Sequence, residues 1–475
     1  MTPDLRDFLM LPYAELEQLN LAAKEQRSKR VPLAEIAEQR LKYLEDESRI
    51  KAVTVMFSDL EGRLHMLDYD KKFLVKSHDN LTFDGSSIRG FTAQKESDLR
   101  LELDWSAFYW GPGDIFGAGK VLVFADVLNR DGSPFAGDIR GSLKKLSVDA
   151  FAEGMTLNAA NEIEGFVFAG LDAERRFHET GSFEYVNTGG YYHSLPGDPL
   201  RLFIDTVAEV QRAMGFENEK DHPEVAPSQF EINYSYGEVV AAADTIQLYK
   251  LICRQVATKL GMSVSFLPKP VVGVNGNGMH TNVSVSKDGK NIFWDAEGQE
   301  RLSKFGWDFV DRILTHGDDI CLALNSSVNS YRRLDPHFEA PNQIKASAID
   351  RGSMIRIPFG NERSARVEVR SVAPDANPYL ALLSVFKTGL HGTISSDPNI
   401  RQASRYLPDN IYDALANFRK ADWTTQLLGA DVKERYAELK QASADRCPRL
   451  LGTFVKAQEV QYHHEVYNQY LWNLF

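Results

Sequence analysis

The residues whose spacing could do chemistry are mostly carboxylates. Glu162 and Glu164 stand at i and i+2 in NEIEGFVFAG, a spacing that on a strand aims both at one face. Two acids side by side repel, and a hard divalent cation with its preference for oxygen ligands relieves that repulsion. A solvated strand face carries the same pattern and, for the pair alone, is the commoner outcome. Glu224 and Glu231 lie seven apart in DHPEVAPSQFEINY. They would face opposite ways on a straight strand, but Ala226-Pro227 bends the chain and could bring both into one cavity. His222 joins them, and His280 closes a glycine-rich segment, GVNGNGMH (273–280), where backbone must approach something closely or simply turn. In ARVEVR, Arg366, Glu368 and Arg370 share a face, which suits a metal beside a phosphate and equally suits a salt-bridged sheet. Arginine recurs at Arg332, Arg333, Arg351 and Arg356. Several Glu, two His, several Arg and a glycine-rich approach together describe metal-assisted phosphoryl transfer.

No P-loop accompanies them: GAGK (117–120) lacks the spacing, and GVNGNGMH is not GxGxxG. The chain has 475 residues and carries 54 Lys plus Arg against 66 Asp plus Glu, a net charge of −12. That field repels polyphosphate surfaces, so neither nucleic acid nor an anionic membrane is expected as a partner. Cys253, Cys321 and Cys447 are far apart without CxxC spacing, which excludes a disulfide scaffold and a cysteine zinc site and fits a reducing compartment. The first residues, MTPDLRDFLM, are charged where a signal peptide is apolar, and no apolar run reaches the roughly 18 residues of a membrane span. A cytoplasmic protein is expected.

The elements that must position these residues can be outlined. Residues 1 to about 46 read as helix, with Leu33, Ile36, Ala37, Leu41 and Leu44 at three and four spacing, an arm for packing or oligomerisation. KAVTVMFSDLEGRLHMLDY reads as a hairpin turning at Asp-Leu-Glu-Gly, and KVLVFADVL (120–128) as a further strand, so 50 to about 135 forms a small α+β unit. A helix is expected around 141–154 and another over 243–261, ending at Gly261. Strands are expected over 263–270 and 365–372, and the last hundred residues read as mainly helical.

At these residues the chain resembles bacterial type I glutamine synthetase. The matching blocks are FDGSSIRGF (83–91), KESD (95–98), EIE (162–164), GGYY (189–192), HPEVAPSQFEI (222–232), FLPKP with NGNGMHTN (266–282), NSYRRLDPHFEAP (329–341), DRGSMIRIP (350–358) and RVEVR with PDANPYL (366–380). They run in the family's order from about 45 to 390. The resemblance implies an α+β fold: an N-terminal arm (1–46), a β-grasp-like domain (47–138) and a larger catalytic domain (139–475) with an antiparallel sheet flanked by helices. It implies a ligase that phosphorylates the γ-carboxylate of L-glutamate with ATP and lets ammonium nitrogen displace the phosphate, giving glutamine. Two Mg²⁺ or Mn²⁺ ions are implied, one on Glu164, Glu224 and Glu231, the other on Glu162, His280 and Glu368. By the same resemblance Asn275, Gly276 and His222 line the glutamate pocket, Arg333, Arg351 and Arg370 handle carboxylates and phosphate, and Ser284, Arg356 and Arg366 serve ATP. Asp84 from a neighbouring subunit, Tyr191 and the flap acid Glu339 surround ammonium. A homododecamer of two hexameric rings follows, with the tail VYNQYLWNLF (466–475) as an interface element.

The chain departs from the pattern at places: Asn161 precedes the EIE block where Pro is common, Pro223 replaces a histidine, and Asn282 stands where many bacterial members have a second histidine. The adenylylation loop is reduced to DNIYDAL (409–415), which makes Tyr412 a poor target for modification. Asp84, Tyr191 and Glu339 together favour ammonia. A γ-glutamyl ligase for a primary amine or polyamine is the alternative, and a non-catalytic relative, which would have lost metal residues, is the second.

Overall fold

The computed structural model describes residues 10–92, 97–193, 195–335, 340–402 and 405–462, the last sixteen by main chain alone. Glu339, part of the KESD block and the aromatic tail lie outside the described residues. The N-terminal arm is two helices, α1 (Tyr13–Ser28) and α2 (Leu33–Asp46). They part at Pro32, which lacks an N–H and biases Val31 out of the helical region. A five-stranded sheet follows: β1 (Ala52–Ser58), β2 (Leu64–Asp70), α3 (Lys71–Ser77), β3 (Leu81–Asp84), β4 (Asp98–Tyr109), α4 (Gly113–Phe116) and β5 (Lys120–Leu128). Its order is β2-β1-β5-β4-β3, with β1 and β5 parallel and the rest antiparallel.

Strand alternation divides this sheet between two cores. Val53, Val55 and Phe57 of β1, with Val121 and Val123 of β5, pack with Leu16, Ile36 and Leu44 of the arm. Met56, Leu122 and Phe124 point the other way into the large core of the rest of the chain. The expected hairpin turn is there: Asp59 Oδ1 accepts the N–H groups of Glu61 and Arg63, and Gly62 takes φ +86°. A Cβ on Gly62 would lie 2.5 Å from the Cα of Asn377, so the turn is pressed against the second unit.

The remaining strands and helices are α5 (Ile139–Ala152), β6 (Met155–Ala169), α6 (Ala173–Thr180), α7 (Pro199–Ala213), β7 (Asn218–Pro223), β8 (Gln229–Tyr234), β9 (Gly237–Glu238), α8 (Val239–Lys259), β10 (Met262–Ser265), β11 (Met279–Lys287), β12 (Lys290–Asn291), α9 (Lys304–Thr315), α10 (Gly317–Leu324), α11 (Val328–Arg333), β13 (Gln343–Ser347), β14 (Ser353–Arg356), β15 (Val367–Val369), α12 (Pro378–His391), α13 (Ile411–Lys420), α14 (Asp422–Leu428) and α15 (Ala430–Tyr462). The strands form a second sheet ordered β13-β14-β15-β11-β6-β8-β7, with β9 and β10 on β6 and β12 on β11. It is antiparallel apart from the β13–β14 pair. Helices α5, α8 and α12 pack together behind it, so one face of β6 is buried at Ile163 and Val167 while the other carries Glu162 and Glu164.

Several boundaries differ from expectation for local reasons. β10 stops at Ser265 rather than running to 270 because Pro268 and Pro270 cannot pair. β15 keeps only three of the eight expected residues. α8 starts at Val239, where Glu238 accepts the N–H groups of Val240 and Ala241 as an N-cap. Cys253 and Cys321 are buried free thiols. No helix among the described residues is long and apolar enough to cross a membrane.

Candidate active site

The site is laid out by cross-strand register. On β6, Glu162 stands opposite His280 of β11, and Glu164 stands opposite Glu231 of β8, on the other edge of the same strand. Glu231 in turn stands opposite His222 of β7. On the far side Asn282 of β11 faces Glu368 of β15, and Glu368 faces Arg356 of β14. Because side chains alternate, these residues rise from one face of the sheet as a row. Of these, Glu162, Glu164, Glu231, His280 and Arg356 line a cleft of about 710 Å³ together with Tyr191, Asn275, Gly276, Arg333, Arg351, Arg366 and Arg370, while His222, Asn282 and Glu368 are not in its wall.

Among the described residues two groups of potential metal ligands stand in the row, each with its donor atoms within 4.8 Å of one another: Glu162, His280 and Glu368, and His222, Glu224 and Glu231. In the first, His280 Nδ1 is 3.6 Å from Glu162 Oε2 and 3.7 Å from Glu368 Oε1. Asn282 Nδ2 donates to Glu162 Oε1 at 3.0 Å, while Arg370 and Arg356 donate to the two oxygens of Glu368 at 2.7 and 2.8 Å. Burial alone would raise the Glu162 carboxyl, but His280, assisted by Asn282, pulls it down to about 2. In the second group the bend at Ala226-Pro227 closes a turn in which Glu224 N–H donates to Gln229 O at 2.8 Å, bringing Glu224 back beside His222. His222 Nδ1 is 3.5 Å from Glu224 Oε1 and its Nε2 3.6 Å from Glu231 Oε1.

Glu164 stands beside the second group, its Oε2 accepting the Gly278 N–H at 2.6 Å. Burial, then the charges of Glu224 and Glu231, push the Glu164 carboxyl well above the usual carboxylate range. Burial and Glu231 push Glu224 up to about 7. His222 goes up as well, since Glu231 and Glu224 outweigh its burial. Three carboxylates crowded together, beside a buried His222 Nε2 that has no hydrogen-bond partner among the described residues, fit a cation with oxygen and nitrogen ligands. The donor set suits Mg²⁺ or Mn²⁺ better than a soft metal.

The glycine-rich segment explains itself by what it touches. A Cβ on Gly276 would sit 2.4 Å from the carbonyl oxygen of Pro268, and one on Gly278 2.8 Å from an Arg333 nitrogen. Gln229 Nε2 donates to Gly276 O and to Asn277 Oδ1 at 2.9 Å, tying the loop to β8. Arg333, the last residue of α11, is buried and donates to the carbonyls of Val372 and Arg370. Burial lowers it to about 10, with Glu164 as a partial offset. Tyr191 stacks on Tyr192 at 3.8 Å between centroids and meets His222 edge-on at 5.4 Å.

Some expected residues are elsewhere. Asp84 ends β3 in the first sheet and is not in the cleft wall of its own chain. Its Oδ1 accepts from the Ser86 N–H and Oγ and its Oδ2 from Ser87 Oγ, which lowers its carboxyl. Ser284 lies on β11, on the face of His280 and Asn282, but outside the cleft wall. Arg332 does not reach the cleft, and Tyr412 hydroxyl donates to Ala444 O. The cleft also contains Lys220, which sequence reasoning missed although its place two residues before His222 put it on the same strand face.

Residues 136–454 match the family model described as glutamine synthetase, catalytic domain, and residues 49–130 match glutamine synthetase, beta-Grasp domain. A protein named glutamine synthetase from Methanosarcina mazei is 34% identical over 419 residues, 84% of this chain and 92% of that one. Another of that name from Clostridium saccharobutylicum is 34% identical over 420 residues, 84% and 93% of the two chains. One from Staphylococcus epidermidis is 35% identical over 427 residues, again 84% and 93%. A solved structure described as "Apo GmaS without ligand" is similar with a TM-score of 0.74 at 24% identity, covering 86% of this chain and 96% of that one, a likeness of fold.

Proposed function

Because the chain belongs to the glutamine synthetase family and is an ATP-dependent ligase, we propose that it joins ammonia to the γ-carboxylate of L-glutamate. An oxygen of that carboxylate attacks the γ-phosphorus of ATP and ADP leaves. Ammonia then attacks the acyl carbon, phosphate leaves, and the nitrogen loses a proton. The observation that carries this reading is the row of two potential metal-ligand groups on one sheet face beneath five arginines. When bound, Mg²⁺ or Mn²⁺ would neutralise the γ-carboxylate and the phosphates and make the phosphorus a better electrophile.

Glu164, Glu224 and Glu231 would hold the cation on the glutamate side, with His222 against Glu231, and Glu162, His280 and Glu368 the one on the nucleotide side. Arg356 and Arg370, which grip Glu368, and Arg366, which grips Asn282, are preorganised by those contacts and would meet phosphate oxygens. Arg333, fixed by two carbonyls, would orient the substrate carboxylate together with Arg351, Asn275 and Gly276. Ser284 would lie along the nucleotide. Tyr191 would close the amine site, completed by Glu339 and by Asp84 of a neighbouring chain in a ring assembly.

The wall at Tyr191 is half exposed, at 51%, so the described residues of one chain set no tight ceiling on amine size. Phosphate release from ATP with L-glutamate and Mg²⁺ is therefore to be measured with ammonium, methylamine, ethanolamine and putrescine at equal free-amine concentration. Ammonium-selective turnover is expected. Turnover only with a larger amine would keep the acyl-phosphate chemistry and reassign the acceptor, and silence with all four would refute the reading.

A further inference from the structure

Lys220 has no part in the reaction as assigned so far. Its backbone stands opposite Asn233 in the β7–β8 register, two residues from His222, so alternation puts it on the face that carries Glu231. Its Nζ lies in the cleft wall, 3.9 Å from Glu231 Oε1, on a side chain 56% exposed. Its charge also acts on Glu162 in one acid group and on Glu224 in the other. It is therefore a tethered cation within reach of both groups, held by one long contact and free to swing on its flexible stem.

That contact is one a bound dication would break. With a dication held on Glu224 and Glu231, an ammonium a few ångströms away would be repelled, and the carboxylate charge that attracts it would be largely neutralised. Lys220 must then find another anion in the cleft. The sheet order limits the choice: Arg356, Arg366 and Arg370 lie at the β14–β15 side, Lys220 lies on β7 at the opposite edge, and the acids lie between. A nucleotide whose inner phosphates were held from the β14–β15 side would present its outermost phosphate toward β7.

We propose that Lys220 binds the γ-phosphate of the nucleotide, closing on it from the β7 edge of the sheet once a cation has displaced the ammonium from Glu231. The proposal rests on the ATP-ligase reading above and adds a residue to it. Lys220 touches the phosphate that is transferred and no other part of the nucleotide, so it discriminates triphosphate from diphosphate.

The test is calorimetric binding of the Mg²⁺ complexes of ADP and of the non-hydrolysable triphosphate analogue AMPPNP to the wild type, Lys220→Met and Lys220→Arg. Loss of one charge-assisted contact in a half-open site should weaken AMPPNP about tenfold in Lys220→Met, with ADP within about twofold of wild type and Lys220→Arg intermediate. Equal AMPPNP binding by wild type and Lys220→Met overturns the proposal. So does an equal loss of both nucleotides, or a Lys220→Arg protein as weak as Lys220→Met. Tighter Mn²⁺ binding in Lys220→Met with AMPPNP unchanged would overturn it in favour of a lysine that merely screens the acids. A wild type that binds neither nucleotide refutes the ATP-ligase reading itself. Selective loss of AMPPNP by Lys220→Met sustains the role of Lys220 even if the amine panel shows no turnover.

Discussion

Replacing Arg140 with Met should loosen the junction between the two sheets, and the structure sets the size of the effect. The guanidinium is 1% exposed. It donates to both oxygens of Asp244 on α8 at 2.8 Å, to Asp104 on β4 at 2.9 Å, and to Asp126 on β5. One side chain thus ties two strands of the first sheet to a helix of the second unit. Burial would raise Asp104, but Arg140, then Lys144, hold it far below the ordinary carboxylate range. Methionine keeps the length and removes the charge, so three buried acids are left to Lys144, 2.6 Å from Asp126 and 3.4 Å from Asp104, and to Arg27, 3.4 Å from Asp244. Breaking a buried ion pair from one side costs about 3–5 kcal/mol, and the two remaining cations place this case near about 3. With a urea m-value of about 3 kcal/mol/M, the midpoint should fall by about 1 M, with the first sheet unfolding ahead of the rest. The control is Lys145→Met on the same helix, whose 2.8 Å pair with Asp149 is exposed, and whose loss costs about 0.5 kcal/mol or less. A single transition in Arg140→Met, at the Lys145→Met midpoint, would refute the argument.

Two further outcomes concern the cleft acids. Glu164→Gln removes one charge from a self-repelling set, so without divalent ions the variant should melt above wild type, gaining about 1 kcal/mol. Addition of Mn²⁺ should stabilise it far less than wild type and turnover should be lost; undiminished Mn²⁺ stabilisation and activity would remove Glu164 from the cation site. The second is a pH dependence of the metal-free protein. Glu224 binds its proton more tightly folded, at about 7, than unfolded, so the folded state holds more protons between the ordinary carboxylate range and about pH 7, and stability falls as pH rises through that window. Chemical denaturation in EDTA should show this slope, and saturating Mg²⁺ should flatten it; a rising slope in EDTA across the window, even in a Glu224→Gln control, would show that other groups dominate.

How much of this was legible in the sequence depends on which physical rule carried each residue. The pairing of Glu162 with Glu164, and of Arg366 with Glu368 and Arg370, needed only the two-residue period of a strand. The return of Glu224 toward Glu231 needed only Pro227. Family motifs added which residues belonged to one site, but not the register that sets Glu164 against Glu231 and Glu162 against His280 on opposite edges of β6. The glycine segment announced a close approach without naming Pro268 O or Arg333 as what is approached. β4 carried a period-two signal at Leu99, Leu101 and Leu103, but the register shift between Leu103 and Phe108 ends the alternation, so Leu103, Asp104 and Trp105 are all buried in succession.

The Arg140 network left no sequence signal at all, because Asp104, Asp126, Arg140 and Asp244 come from separate elements spread over 140 residues with no motif among them. Yet its chemistry is that of the cleft: buried carboxylates that cannot stand together without a positive charge. The difference lies in where the charge comes from. At the junction Arg140 is fixed in the chain and its hydrogen bonds saturate the acids, so the cluster can only hold parts together. At the second group of the cleft the resident cation is Lys220, half exposed and 3.9 Å from Glu231, which leaves His222 Nε2 without a hydrogen-bond partner among the described residues, Glu224 raised by burial and Glu231, and Glu164 by burial, Glu224 and Glu231. On the proposed reading, a set of acids left so incompletely neutralised by its own chain would draw its remaining charge from solution, the exchangeable charge that metal-assisted phosphoryl transfer requires.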